Sequence, residues 1–103
     1  MSEAQHKEIV RSVRSARNIP SKYMMATKAL HLLGDISRET PDLCHVHSET
    51  DRYYVGSWVT GFGFFDVLFS KETTRELTAE EIAYWNTRAV QIGSQPPMKL
   101  KVD

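Results

Sequence analysis

The stretch YYVGSWVTGFGFFDVLF, residues 53–69, holds seven of the ten aromatic side chains of this chain of 103 residues. Aromatic and β-branched residues dominate it on both sides of Thr60 and Gly61, a pattern typical of two strands joined by a tight turn. We therefore predict a β-hairpin with strands over 53–59 and 62–69.

Both faces of this predicted hairpin are apolar. Alternate residues of a strand share a face, so a turn with an even number of residues gives two sets. One set is Tyr54, Trp58, Phe65, Val67 and Phe69, and the other is Tyr53, Val55, Val59, Phe64 and Leu68. Leaving the second set in water would forfeit roughly 10 kcal/mol. We expect it to be covered either by helices of the same chain or by a partner surface.

Helical spacing predicts two helices before the hairpin. The apolar residues Ile9, Val10, Val13 and Ala16 follow a capping box at Ser2 and predict a helix to about Arg17. Pro20 ends it, and residues 21–33, apolar on nearly every side, predict a second helix that stops at Gly34. Residues 35–52 are expected to be mostly loop, with one short apolar run at Leu43–His47.

A second capping box, Thr78 to Glu81, predicts a third helix whose buried stripe is Ile82, Trp85, Ala89 and Ile92. The alternation of Met98–Val102 predicts an edge strand protected by lysines. The predicted fold class is therefore α+β, with an N-terminal helical hairpin, a small antiparallel sheet built on the β-hairpin, a third helix and a C-terminal edge strand. A chain of this length has room for one core, so residues 1–103 are expected to form a single domain.

Composition excludes several classes of protein. The thirteen basic and thirteen acidic residues balance, so no bulk charge attracts the chain to nucleic acid or to an anionic membrane. One cysteine cannot form an internal disulfide, which favours a reducing compartment. No apolar run approaches the ~18 residues of a membrane span, and no secretory leader is visible. We expect a cytoplasmic protein that does not associate with membranes.

The charge is unevenly distributed along the chain. Residues 1–33 carry a balance of +4 and residues 34–103 a balance of −4. Lys7, Arg11 and Arg14 recur at helical spacing on the polar side of the first predicted helix. The two halves of the chain could neutralise each other, or this basic stripe could meet an acidic partner.

The residues capable of chemistry form no catalytic signature, so we expect a protein that is not an enzyme and needs no cofactor. His45 and His47 would point the same way on a strand and are the candidate metal ligands if any metal binds. A small-ligand or metal-binding domain centred on these two residues is therefore one alternative function. The arginines of the first helix could touch a few phosphates, and aromatic strands can stack bases, which makes nucleic-acid binding a further alternative.

By elimination, the sequence favours a small intracellular binding protein, such as a regulator, inhibitor or assembly factor, that acts by protein–protein contact. Its expected partner is a protein of acidic character, or a second copy in a homodimer. Buried aromatic and arginine side chains dominate the energetics of interfaces. The candidate partner-binding residues are therefore Tyr53, Trp58 and Phe64 of the hairpin and Arg11 and Arg14 of the first helix.

Overall fold

Strands dominate the structure, a computed structural model that describes residues 3–31, 34–59 and 66–88. The helices are α1 (Glu3–Ser15) and α2 (Ala79–Asn86), with a short 3-10 turn at Lys71–Thr73. The strands are β1 (Arg17–His31), β2 (Gly34–Glu49), β3 (Tyr53–Trp58), β4 (Val67–Ser70) and β5 (Thr74–Arg75). None of the helices in the described ranges is long and apolar enough to cross a membrane.

The predicted helical hairpin is wrong, because residues 17–31 form the strand β1 instead of a second helix. The three consecutive residues Met24, Met25 and Ala26 are all buried, as they would be in a helix enclosed on all sides. A strand buried on both faces carries the same continuous apolar run. Pairing with distant strands outweighs the helix preference of methionine, alanine and leucine here.

β2 occupies most of the region that was expected to be loop. It pairs antiparallel with β1 from Arg17 opposite Glu49 to His31 opposite Gly34. The short apolar run Leu43–His47 lies within β2. Pro41 is tolerated because residues 38–41 bulge out of register with β1, so its missing N–H breaks no ladder bond.

The sheet closes on itself. β1 pairs with β2, β2 with β3, β3 with β4, and β4 returns to β1 at Ala29 and Leu30, every pair being antiparallel. β1 takes part at both ends of this circuit because a strand has two hydrogen-bonding edges, and Ala29 and Leu30 pair with β2 on one edge and with β4 on the other. The register of β1 with β2 also shifts between Ala26 and Lys28, a bulge that bends a strand. β5 adds to β1 at Met25 and Ala26. One face of the sheet therefore lies inside the closed sheet.

The inner face carries the main core. The rings of Trp58 and Phe69 are fully buried and meet edge to face, with their centroids 5.0 Å apart. Tyr54 packs on the same cluster together with Val67, which confirms the predicted face for these four residues. The other buried members of the cluster are Met24, Ala26, Ala29, Cys44 and Val46.

The outer face is covered by the two helices at separate places. Ile9 of α1 packs on Val55 and Leu68, with Tyr53 at the edge of the contact. Ile82 and Trp85 of α2 pack on Met25 and Leu43. The apolar surface of β3 and β4 is thus covered from within the chain, by closure of the sheet on one side and by helix packing on the other.

The start of α2 agrees with the sequence prediction. The Thr78 side chain accepts from the Glu81 N–H, and the Glu81 carboxylate accepts from the Thr78 N–H, which completes the capping box. The later residues of the predicted third helix, Ala89 and Ile92, lie outside the described residues. So do the predicted strand at Met98–Val102 and the candidate anchor Phe64.

Candidate functional site

The two described hairpin anchors are occupied within the fold. Trp58 has 0% exposed surface, so it offers nothing to a partner in this structure. Tyr53 is half-buried beneath α1 and donates its hydroxyl to Glu8 Oε1 at 3.4 Å. Burial and the neighbouring Glu8 carboxylate raise the pKa of Tyr53. The hydroxyl group that would have faced a partner therefore ties β3 to α1.

The basic residues of α1 lie on the opposite side of that helix from the sheet. Arg11 and Arg14 are exposed. Together with Lys7 they occupy positions four and three residues apart, which places them on one side of a helix. An open groove of about 530 Å³ runs along this side and is lined by His6, Lys7, Val10, Arg11, Arg14 and Ser15. We call Lys7, Arg11 and Arg14 the basic face.

The charges of the basic face are not neutralised within the described part of the chain. No acidic side chain there lies within ion-pair distance of Arg11 or Arg14. Lys7 reaches Glu3 at 3.4 Å, but both side chains are more than 70% exposed, and such surface pairs contribute little. By contrast, Arg17 meets Glu49 and Asp51.

The candidate metal ligands are engaged in other contacts. His45 meets the Tyr23 ring edge to face at 5.1 Å, and burial, with the charge of His47, lowers its pKa. His47 lies at a bulge between β2 and β3, where its Nε2 is 3.1 Å from Asp66 Oδ1 and its Nδ1 is 2.9 Å from Ser48 Oγ. Among the described residues, no group of three or more histidine, cysteine or acidic side chains could hold a metal ion.

Asp66, His47 and Ser48 form a chain of side chains that the sequence analysis missed. An acid, a histidine and a serine in contact are the residue types of a catalytic triad. The direction of the serine hydrogen bond, however, does not suit a serine nucleophile. The Ser48 hydroxyl donates to Asn18 Oδ1 at 3.1 Å, so it does not pass its proton to His47. Ser48 is also 5% exposed. The chain of contacts joins the bulges of β1 and β2 to the start of β4.

Cys44 is the remaining nucleophilic side chain of interest. It is fully buried in the inner core, and burial raises the pKa of its thiol to about 12. The reactive form of cysteine is the thiolate, which is scarce at neutral pH for such a group. Cys44 therefore acts as a small apolar core residue.

Comparison of the chain with protein-family models, with curated proteins and with solved structures found no match.

Proposed function

We propose that this chain is a small non-enzymatic binding protein that holds an acidic protein partner on the basic face of α1. The observation that carries the proposal is the pair of exposed guanidinium groups, Arg11 and Arg14, which line an open groove and have no acidic neighbour in the described ranges. Contact of this kind is how a small regulator, inhibitor or assembly factor acts.

We expect charge to dominate this binding because Trp58 and Tyr53, the two aromatic anchors that the structure describes, are not available to a partner. Trp58 is enclosed by the sheet and Tyr53 is held by Glu8. Exposed charges at an interface chiefly accelerate association and select partners of opposite sign. Arginine adds bidentate hydrogen bonds to carboxylates, which a point charge cannot provide. The expected binding is therefore salt-sensitive and depends on the two arginines.

The buried aromatic residues also argue against nucleic acid as the partner. Proteins that bind single strands stack bases on exposed aromatic rings, whereas Trp58 and Phe69 lie inside the closed sheet. Three cations on one helix could contact about three phosphates at most, which gives binding without sequence information. An acidic protein is thus the better match to the basic face.

The single cysteine, Cys44, is a free thiol. A free thiol suits a reducing compartment, so the proposal sets this binding in the cytoplasm.

The proposal is tested by affinity capture from a lysate of the native host with the wild-type protein and with the double variant Arg11→Glu/Arg14→Glu. The lysate is treated with nuclease beforehand. We expect an acidic protein to be captured by the wild type and to be lost from the variant by tenfold or more. The melting temperature should stay nearly unchanged, because neither arginine makes an ion pair among the described residues.

The matched control is Lys28→Glu/Arg52→Glu, which makes the same change in net charge at two exposed positions that do not line the groove. This control should keep the captured protein. Equal loss from both variants would show that bulk charge is responsible. Capture that disappears on nuclease treatment would contradict the proposal in favour of nucleic acid.

A further inference from the structure

The sheet covers only part of the apolar stripe of α1, which consists of Ile9, Val13 and Val10. Successive residues of a helix are turned by about 100°, so Ile9, Val13 and Val10 lie side by side around the axis. Ile9 is 4% exposed and packs on the sheet, while Val13 is 44% exposed. Val10 is half-buried and lines the groove. The sheet therefore covers Ile9 and leaves an open edge made of Val13, which lies beside the groove, and of part of Val10.

The basic face borders this open edge. Going around the helix from Ile9, the valines come first and Arg14, Lys7 and then Arg11 follow. The groove joins Val10 to these three cations, so an occupant of the groove meets apolar and positively charged surface at once.

The spacing matches helix–helix packing over one turn only, because the equivalent positions seven residues earlier are Glu3 and His6. Val10 and Val13 are three residues apart, as are neighbouring apolar positions of a coiled-coil seam. Lys7 and Arg14 are seven residues apart, which is one heptad, and lie beside that seam, where charged residues select the partner helix. A phosphate backbone, or an acidic segment without apolar side chains, would form ion pairs with the cations. It would leave the two valines in contact with charged groups or with water.

We infer that the element docking in the groove is an acidic amphipathic helix of the partner protein. Its apolar side chains would pack on Val10 and Val13, and carboxylates about seven residues apart would meet Lys7 and Arg14. The inference depends on the proposed function and specifies the partner's chemistry. Residues 89–103 of this chain carry two lysines and one aspartate, so they do not supply the acidic occupant.

The test uses two synthetic peptides of about 20 residues, long enough to form a helix, made of the same glutamates, leucines and alanines. One peptide places the leucines along one helical face with glutamates beside them, and the other has the same composition in scrambled order. Binding to labelled peptides is measured by fluorescence anisotropy. We expect the amphipathic peptide to bind at least tenfold more tightly than the scrambled one.

Three variants locate the binding. Val10→Ser/Val13→Ser should abolish the tenfold preference. Lys7→Gln/Arg14→Gln should instead weaken the binding of both peptides, because both carry the same glutamates. The control Lys28→Gln/Arg52→Gln should change neither result. Circular dichroism confirms that each variant is folded. The serine variant is informative because it leaves every charge in place.

Four results would overturn the inference. Equal binding of both peptides would mean that charge alone is recognised, and tighter binding of a single-stranded oligonucleotide would point to nucleic acid. Self-association of the wild type that both groove variants abolish would mean that a second copy fills the groove. If neither peptide binds while the arginine-dependent capture from lysate persists, the helical partner is excluded and the proposed function stands.

Discussion

The start of α2 offers a sharp test of the electrostatics in this fold. Glu81 accepts from Arg75 Nη1 at 2.7 Å and from Arg75 Nη2 at 3.0 Å, and it also accepts from the Thr78 N–H at 2.9 Å. The Arg75 hydrogen bonds, followed by those of Thr78, lower the pKa of Glu81 to about 2. The informative change is Glu81→Gln, because glutamine can still serve in a capping box but carries no charge.

The expected loss of stability follows from this shift of the pKa. A carboxylate whose pKa falls from 4.5 to about 2 on folding would contribute about 3 kcal/mol if nothing screened it. The Arg75 side chain is 47% exposed and that of Glu81 24%, so solvent screens the pair. We expect Glu81→Gln to lower the free energy of unfolding at pH 7 by about 1–2 kcal/mol.

The pH dependence has a definite sign. Because folding depresses the pKa of Glu81, its contribution is complete above the unfolded value of 4.5 and disappears as the pH falls towards about 2. Wild type and Glu81→Gln should therefore differ at pH 7 and converge as the pH is lowered through 4.5 towards 3.

The assay is urea unfolding of both proteins between pH 7 and pH 3, followed by tryptophan fluorescence. The control is Glu80→Gln, which removes a neighbouring exposed carboxylate in the same turn that has no ion pair in the described residues. Its effect should stay within about 0.5 kcal/mol. A gap between wild type and Glu81→Gln that persists unchanged to pH 3, or an equal gap for Glu80→Gln, would refute the reasoning.

Two further predictions concern the closed sheet. Gly56 lies where β2 and β3 approach each other so closely that an added Cβ would overlap the His45 carbonyl oxygen. Gly56→Ala should therefore lower the free energy of unfolding by about 1–3 kcal/mol, and a urea midpoint equal to that of wild type would contradict this. Cys44, with a pKa near 12, should resist a thiol reagent at pH 8 in the native protein and react fully in urea. Rapid labelling of the native protein would show that its core is open.

Local signals predicted those parts of the fold whose stabilising contacts are close in sequence. The capping box at Thr78 and Glu81 needs residues three apart, and α1 needs only its own spacing of apolar and charged residues. The faces of the hairpin were also predictable, because alternation along a strand does not depend on what covers it. Tyr54 and Trp58 consequently share the inner core, and Val55 lies on the outer face.

The error over residues 21–33 has a physical cause. Met24, Met25 and Ala26 favour helix individually, and a buried strand shows the same unbroken apolar run as a buried helix. The choice depends on β2, β4 and β5, which pair with β1 from as far away as Arg75. No window of local sequence contains that information.

The candidate site also contains residues that the sequence could identify and residues that only the fold brings together. Arg11 and Arg14 were singled out because their helical spacing is visible in the sequence, and the structure leaves both exposed. Trp58 was singled out as an aromatic residue of the hairpin, and the closed sheet buries it completely. The side chains of Asp66, His47 and Ser48 meet only because β2 and β3 pair with a bulge at His47.

The amino-acid sequence by itself determined the start of α2, the alternation of β3 and β4, and the basic side of α1, since each depends on residues within about two turns or one strand. The capping box predicted at Ser2 lies outside the described residues. Only the tertiary structure decided that the sheet closes on itself, that Trp58 lies inside it and that Val13 stays outside. Those outcomes depend on pairing between distant strands, whose free energy is gained only when the whole sheet forms.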